Sequence, residues 1–364
     1  MFGGDFLADK MSEVYDAYEM EIFQTARGRG SFVLKTDKGI RQLKQLDVNE
    51  SRLNVEYQFK EKLFDHGFTN IDRCIKNEDE ELVSYDRYGN GYVLRSFFEG
   101  REIDVTDTKE IRAAVNNLAH FHKVSREIFE STEKDVHIRL NSDFKKRNQE
   151  LKRVKNFMMK RKSKKKFEEM FLDNYEFFYR QALDCENKLS QDDLKMMENH
   201  VGYCHGMYNQ HSILVIDNNV ITNASENNMD KSFYSDKNIS IDNSNDKMIN
   251  LATIGFDKFY VGNQLNDLYH FMRKTVEKNN YSFEVMREIL ESYDKVFKLR
   301  KNDLEYIYIL YLYPEKFYKL SNQYINAPKN WISPKMMEKI GKITGEEEQK
   351  QALLGKFKSF YLEN

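Results

Sequence analysis

The order of two patterns most constrains how this chain can fold: strand-like runs come first and helix-like periodicity follows. A short connection that ends in glycine, Asp37-Lys38-Gly39, joins two of the strand-like runs and is typical of a β-hairpin. Strands are predicted over residues 19–26, 31–36, 40–46, 81–85 and 92–98. A chain with this order is expected to form a small β-rich lobe before a larger helical one.

Helical periodicity begins at residue 50 and dominates after residue 107. Gly67 is a plausible end for the first helix. The apolar side chains predicted for one side of that helix are Leu53, Val55, Phe59, Leu63 and Phe64. With 364 residues the chain is long enough for two lobes. We therefore predict a bilobal α+β fold, with a β-rich lobe over 1–99 and a helical lobe over 100–364.

Charge and composition exclude several classes of protein. The 57 basic and 59 acidic side chains nearly cancel, which argues against a nucleic-acid partner. The most apolar stretch, 306–313, is far shorter than the roughly 20 residues of a membrane span. Residues 1–10 contain two acids and no long apolar run, and three widely spaced cysteines favour a reducing compartment. We expect a cytoplasmic protein with no membrane partner.

Two segments have an unusual composition. Six of the seven residues over 160–166 are basic, which suits either an anionic partner or a solvated turn or helix face. The second interpretation is favoured because acidic residues follow directly. Asn, Asp and Ser fill 19 of the 34 positions over 217–250, which predicts an extended or disordered loop inserted between two strands.

Two further segments suggest a chemistry. Residues 205–214 read HGMYNQHSIL, and residues 254–268 read IGFDKFYVGNQLNDL. Their order and spacing resemble the catalytic loop and metal-binding segment of the aminoglycoside phosphotransferase and choline kinase superfamily. In that superfamily the loop reads HGDxxxxN, and the later segment reads IDF(E/G) and then GDPxxDLA. The resemblance covers nearly the whole chain and implies a protein-kinase-like fold.

Several shorter motifs look more specifically like the CotS family of spore-coat kinase-like proteins. They are RGRG at 27–30, FEGRE at 98–102, LAHFH at 118–122, YNQH at 208–211, and FDK at 256–258 followed by NDLYHF at 266–271. Each motif is weak alone, whereas their order and spacing together are specific. This resemblance implies an association with the spore coat and with other spore-coat proteins.

The residues that carry phosphoryl transfer in the superfamily are changed in this chain. The resemblance places the catalytic aspartate at Met207, the metal-binding asparagine at Ser212 and the metal-binding aspartate at Gly255. A thioether is at best a weak hydrogen-bond acceptor, and loss of a general base costs about 10²–10⁴-fold in rate. We predict a pseudokinase with a structural or scaffolding role. A weak small-molecule phosphotransferase and a nucleotide-binding protein without turnover are the alternatives.

Asp257 is the candidate that could replace the lost metal ligand. It lies two residues after Gly255, and residues two apart in an extended strand point to the same side. Its carboxylate could instead cap a turn or pair with Lys258 or Arg273. The prediction is therefore that no cofactor is required, with binding of ATP and Mg²⁺ left open.

Lys44 matches the phosphate-contacting lysine that the resemblance implies. Glu56, on the following helix, is its predicted ion-pair partner, and Lys35 and Glu61 are rival choices. Both Lys44 and Glu56 could also be plain surface charges.

The resemblance gives four more residues a place in the site. Gly28 and Gly30 either line a phosphate loop or form a tight turn, and the GxG pattern favours the turn. His205 is expected to organise the backbone of the loop. Asp267 is expected to anchor the same loop through hydrogen bonds.

Overall fold

The computed structural model describes residues 11–28, 30–132, 140–189, 200–216, 249–327 and 334–363. The chain forms two compact units. Residues 1–131 and 205–260 form the first unit, and residues 132–204 and 261–364 form the second. The fold is α+β, as predicted, with most strands in the first unit. The lobe boundary predicted at residue 99 stays a prediction.

An antiparallel sheet organises the first unit. Its strands are β1 (Ile22–Gly28), β2 (Ser31–Thr36), β3 (Gly39–Gln45), β4 (Cys74–Ile75), β5 (Ser84–Tyr85) and β6 (Gly91–Ser96). They are arranged in the order β1-β2-β3-β6-β4, with β5 also paired to β6. Each of the five predicted strand-like runs overlaps a strand of this sheet. Gly39 starts β3 with a φ of 93°, which is the left-handed conformation that favours glycine in a turn.

The sheet buries a different set of residues on each face, because successive side chains of a strand point to opposite faces. Leu43 and Leu94 pack with Val14 in one apolar cluster. On the other face Val93 packs with Leu53 of the first helix. Lys44 directly follows Leu43, and Arg95 directly follows Leu94. Both charged side chains therefore point to the opposite face of the sheet from these leucines, which is the face that packs against the first helix.

The first helix, α1 (Glu50–Asp65), begins where the Asn49 side chain accepts a hydrogen bond from the Arg52 backbone N–H. Leu53, Phe59 and Leu63 are buried, as predicted. Val55 was predicted on the same side, and this is wrong because its side chain is 52% exposed. Two residues turn an α-helix by about 200°, so Val55 lies nearly opposite Leu53. Two charged residues, Glu56 and Lys60, complete the buried face.

A second, smaller sheet of the first unit lies next to the loops of the candidate site. It consists of β10 (Leu251–Thr253), β9 (Ile213–Ile216) and β7 (Gly100–Glu102), in that order. Helix α2 (Thr108–Thr132) follows β7, and 3-10 turns form at Gln210–Ser212 and Phe256–Lys258. The insertion predicted over 217–250 lies outside the described residues except for its last two positions.

The second unit is mainly helical. The two strands β8 (Val201–Cys204) and β11 (Tyr260–Asn263) pair with each other. The helices are α3 (Leu140–Met159), α4 (Lys166–Lys188), α5 (Leu265–Lys278), α6 (Phe283–Val296), α7 (Lys301–Leu312), α8 (Glu315–Ile325), α9 (Pro334–Gly345) and α10 (Glu347–Phe357). Phe317 stacks between Phe171 and Phe178, with ring centroids 4.5 and 4.4 Å apart. Among the described residues, none of the helices is both long and apolar enough to cross a membrane.

Candidate functional site

His205 joins two backbone segments of the first unit. Its buried ring places Nε2 3.1 Å from the Ile254 carbonyl oxygen, and the Met207 backbone N–H donates to Nδ1 over 3.2 Å. Nδ1 therefore accepts, so Nε2 carries the proton and donates. The ring also packs against Phe256, with centroids 4.5 Å apart. These contacts are those of a residue that organises the loop, and they leave no ring nitrogen for acid–base work.

The loop after His205 uses its polar side chains internally. Asn209 accepts from the His211 backbone N–H and donates to the Met207 carbonyl oxygen at 2.6 Å. The Ser212 hydroxyl accepts from the Asn209 N–H at 2.9 Å and donates to the Asn209 carbonyl oxygen at 2.8 Å. Ser212 thus caps a turn. Met207, where the resemblance to the superfamily places the catalytic base, is 42% exposed and offers only a thioether.

Two glycines with positive φ shape the backbone of the site. Gly206 has a φ of 79°, and a Cβ there would lie 2.0 Å from the Lys258 carbonyl oxygen. Gly255 has a φ of 81° with open space around it, and its N–H donates to an Asp72 carboxylate oxygen at 3.0 Å. Only glycine fits at position 206, whereas position 255 has room for a side chain but an unfavourable backbone conformation for one.

Asp257 forms ion pairs with Lys44 and Arg95. The Lys44 Nζ lies 2.9 Å from Asp257 Oδ2, and the Arg95 Nη1 lies 3.1 Å from Asp257 Oδ1. Strand register explains the geometry, because Lys44 is opposite Val93 and Gln42 is opposite Arg95. The two cations are therefore diagonal neighbours on one face of the sheet. Each oxygen of the Asp257 carboxylate has its own cationic partner.

Beneath these ion pairs lies a fully buried set of charges. The Lys60 Nζ is 2.6 Å from Glu56 Oε1 and 3.0 Å from Asp72 Oδ1. Arg95 reaches Glu56 at 3.0 Å and Asp72 at 3.5 Å. With Lys44 and Asp257 these residues form what we call the charge network, of three cations and three carboxylates. Lys60 is 0% exposed, so its charge is compatible with burial only because these carboxylates surround it.

The charge network shifts the pKa values of its members. Burial alone would raise the pKa of Asp257, but Arg95, the hydrogen bond from Lys44 and the nearby Lys60 outweigh it and lower that pKa to about 2. Burial acts to lower the pKa of Lys60, and Asp72 and Glu56 reverse the effect and raise it. Glu56 and Asp72 likewise raise the pKa of Arg95 against the effect of burial. All three groups are charged at neutral pH.

The predicted ion pair between Lys44 and Glu56 is wrong. Glu56 pairs with Lys60, one helical turn away, and with Arg95, while Lys44 pairs with Asp257 and more distantly with Asp47 at 3.6 Å. The reason is that the buried Lys60 needs a neighbouring carboxylate more than the partly exposed Lys44 does.

The rival residues of the prediction lie elsewhere. Lys35 is exposed on β2. Glu61 accepts a hydrogen bond from Arg73 Nε at 2.9 Å. Neither residue is part of the charge network.

Three members of the charge network were missed by sequence reasoning. Lys60 lies four residues after Glu56 on the helix, which is a spacing that predicts a contact. Arg95 is in phase with Val93 on β6, so its place on the inner face could have been deduced. Asp72 follows no periodic pattern and gave no signal.

Gly28 and Gly30 belong to the hairpin between β1 and β2. Gly28 is paired with Ser31, and Gly30 has a φ of 68°, as in a tight turn. Their role in phosphate binding stays a prediction.

Asp267 is buried in the first turn of α5, in the second unit, and its N–H donates to the Gln264 carbonyl oxygen at 3.0 Å. Its predicted role as an anchor of the 205–214 loop stays a prediction. The alternative partners suggested for Asp257, Lys258 and Arg273, are not those of its ion pairs, which are Lys44 and Arg95.

The site does not fit Mg²⁺. This ion requires hard oxygen ligands in near-octahedral geometry. Gly255 has no side chain, the Ser212 hydroxyl caps a turn, and both oxygens of Asp257 contact cations. Across the described ranges, no group of three or more His, Cys, Asp and Glu side chains is placed to hold a metal ion.

No model of a known protein family and no curated protein matches the sequence. Solved structures do match. An aminoglycoside phosphotransferase from Alicyclobacillus acidocaldarius is 15% identical with a TM-score of 0.74, over 95% of this chain and 94% of that one. A spectinomycin phosphotransferase in complex with ADP and spectinomycin is 14% identical with a TM-score of 0.59, over 94% and 97%.

An amicoumacin kinase, solved with AMP-PNP and Ca²⁺, is 11% identical with a TM-score of 0.55, over 96% of this chain and 94% of that one. At such identities the likeness shows the fold alone. The protein-kinase-like fold predicted from the sequence is therefore confirmed, while the closer resemblance to the CotS family stays a prediction.

Proposed function

We propose that this protein is a pseudokinase: it has the kinase-like fold, does not transfer phosphoryl groups at enzymatic rates, and acts as a structural or scaffolding protein. The observation that carries the proposal is the pairing of Lys44 with Asp257. Phosphoryl transfer depends on positioning and electrostatics, with a cation for the phosphates and carboxylates for the metal. In this chain the candidate cation, Lys44, and the candidate metal ligand, Asp257, neutralise each other.

A phosphotransferase that used Asp257 as its metal ligand is disfavoured by the charge network. A metal at Asp257 would have to displace both Lys44 and Arg95. Arg95 has a side chain only 5% exposed and is also held by Glu56 and Asp72, so it has no free path to solvent. Moving it would leave buried carboxylates without their cation, which costs several kcal/mol.

Nucleotide binding without turnover is a second candidate. The observation that favours it is the partial exposure of Lys44, whose side chain is 23% accessible, near the hairpin of Gly28 and Gly30. A polyphosphate that reached Lys44 would compete with Asp257 and would not require a metal. ATP binding of this kind is independent of Mg²⁺, in contrast to the metal-assisted binding of an active kinase.

The spore-coat role belongs to the same proposal and is supported by the short motifs shared with the CotS family. Its partners would be other spore-coat proteins. Mass spectrometry of coat extracts from purified spores tests this location. Recovery of the protein only from the spore core or the mother-cell lysate would contradict it.

An ADP-release assay with ATP and Mg²⁺ tests the loss of phosphoryl transfer, because transfer to an acceptor forms ADP but no free phosphate. Choline, ethanolamine and an aminoglycoside serve as acceptors, and an active aminoglycoside phosphotransferase is assayed in parallel. We expect rates at the background level, and turnover in the range of about 1–100 s⁻¹ would overturn the proposal. If a slow activity appears, its loss in Asp257→Ala would support the metal-using alternative.

Thermal unfolding with ATP separates the two pseudokinase interpretations. A rise in Tm with ATP and EDTA supports nucleotide binding without metal. An unchanged Tm in both EDTA and Mg²⁺ supports a purely structural role. A rise that requires Mg²⁺ would contradict the conclusion that the site does not fit this ion.

A further inference from the structure

The charge of this chain is distributed very unevenly. Residues 140–166 contain twelve Lys and Arg side chains and two acidic ones, a net charge of +10. The whole chain has a net charge of −2, so the remainder carries −12. The near-neutral total therefore conceals one strongly basic segment, which comprises α3 and the turn that follows it.

Helix α3 separates its apolar and basic residues on opposite sides. Leu151, Val154 and Met158 are buried inside the second unit, to which this helix belongs. Exposed basic side chains occupy the other side and continue into the turn: Lys145, Lys146, Lys152, Arg153, Lys160 and Lys162. Residues seven apart on a helix lie on the same face about 10 Å apart. The basic residues thus form a continuous stripe.

Internal ion pairs neutralise little of this stripe. Lys155 pairs with Glu176 at 2.5 Å, and Arg161 pairs with Glu168 at 3.2 Å. Lys155 and Arg161 lie beside the stripe and are not part of it. Lys145, Lys152 and Lys160 form no ion pair with any described residue. Like charges held together at a surface repel each other, and an external anion relieves that repulsion.

Two apolar side chains are exposed at the end of the stripe. Phe157 is 46% and Met159 is 56% exposed, next to Lys160 and Lys162. The Phe157 ring lies 6.5 Å from the Tyr324 ring at a tilt of 58°, so it is partly occupied by a neighbour. This setting suits shallow insertion between lipid headgroups better than stacking on a nucleic-acid base.

We propose that this surface docks on an anionic phospholipid membrane. The basic stripe would contact the phosphate headgroups through Lys145, Lys146, Lys152, Arg153, Lys160 and Lys162. Phe157 and Met159 would enter the acyl boundary. Charge attraction and apolar insertion together provide the two contributions that stable membrane association requires. This proposal is independent of any kinase chemistry, and it differs from the expectation of no membrane partner, which rested on the lack of an apolar stretch long enough to span a membrane.

Vesicle co-sedimentation of the full chain tests the proposal. We expect binding to vesicles that contain phosphatidylserine, no binding to phosphatidylcholine alone, and weaker binding as salt is raised. The variant Lys152→Glu/Lys160→Glu/Lys162→Glu should bind phosphatidylserine vesicles at least about tenfold more weakly, since each cation near the membrane contributes substantially. Met159→Ser should weaken binding without changing its salt dependence.

The matched control reverses three exposed lysines near the connection of α6 and α7, in Lys295→Glu/Lys298→Glu/Lys301→Glu. It makes the same change in net charge and should retain wild-type binding. Circular dichroism and thermal unfolding establish that each variant is folded. An equal loss in both triple variants, no sedimentation of the wild type with phosphatidylserine vesicles, or tighter binding to a DNA or RNA oligonucleotide than to vesicles would overturn the proposal.

Discussion

Asp257 and Asp47 both contact Lys44, but they differ in their exposure to water. The Asp257 pair is 2.9 Å long with an acid side chain 28% exposed, while the Asp47 pair is 3.6 Å long with one 64% exposed. Because a partly buried charge pair is screened less, we expect Asp257→Asn to lower the free energy of unfolding by about 1–3 kcal/mol and Asp47→Asn by at most about 0.5 kcal/mol. Urea unfolding at pH 7 measures the free energy of unfolding of both variants. Equal losses would contradict the expectation that Asp257 stabilises the fold more than Asp47 does.

The depressed pKa of Asp257 predicts how this contribution depends on pH. Its folded value of about 2 lies below the ordinary 3.8, so the stabilisation is complete above about pH 4 and is lost as the pH falls toward 2. The difference in unfolding free energy between wild type and Asp257→Asn should therefore shrink by about 1 kcal/mol between pH 5 and pH 3. Urea unfolding of both proteins at the two pH values measures it. A difference that is constant or grows on acidification would show that Asp257 is not held by cations.

Lys60 is the most deeply buried charge of the site. Lys60→Met preserves much of its volume but leaves Glu56 and Asp72 with only Arg95 as a cation, so we expect a loss of about 3–5 kcal/mol in the free energy of unfolding. Lys76→Met is the matched control, because Lys76 has the same four-residue spacing to Glu80 but is exposed. The control should leave the free energy of unfolding nearly unchanged, because an exposed ion pair is screened by water. Similar midpoints of chemical unfolding for both variants would rule out a structural role for the buried pair.

At the scale of elements, local patterns predicted most of the first unit correctly. The five strand-like runs and the helix after the third of them were found because alternation, glycine turns and helical periodicity depend on neighbours in sequence. The error at Val55 arose from treating an apolar residue as part of the buried face without checking its angular position. The helix buries Glu56 and Lys60 instead, and a hydrophobicity pattern cannot identify buried charges that neutralise each other.

The two glycines of the site allow steric and conformational costs to be separated. Gly206 and Gly255 have nearly equal φ values of 79° and 81°, but only at Gly206 would a Cβ collide with backbone, at 2.0 Å from Lys258 O. Gly255→Ala should cost about 1–2 kcal/mol, which is the price of a left-handed conformation. Gly206→Ala should cost clearly more, because the 205–212 loop must move. Chemical unfolding of the two variants compares them, and a smaller loss for Gly206→Ala would contradict the loop geometry.

At the scale of the whole molecule, the site could be predicted only in part from the sequence. Lys44 and Asp257 were both singled out, but not as partners of each other. More than 200 positions separate them in the chain. Their contact depends on the register of β3 against β6 and on the turn after Gly255, and neither can be derived from local patterns. A total charge has the same limit, because a sum over the chain does not reveal where the charges lie.

Restoration of the superfamily residues tests whether the charge network itself blocks phosphoryl transfer. The triple variant Met207→Asp/Ser212→Asn/Gly255→Asp introduces the side chains that the resemblance implies for the base and the two metal ligands. The open space at Gly255 accommodates a side chain at a conformational cost of about 1–2 kcal/mol. We expect it to remain inactive with ATP and Mg²⁺, because Asp257 still neutralises Lys44. Adding Asp257→Ala frees Lys44, so the quadruple variant should gain Mg²⁺-dependent ATP binding, measured by calorimetry, and detectable phosphate release. If the triple variant alone gains this binding and activity, the missing side chains are sufficient to explain the loss, and the pairing of Lys44 with Asp257 is not the block.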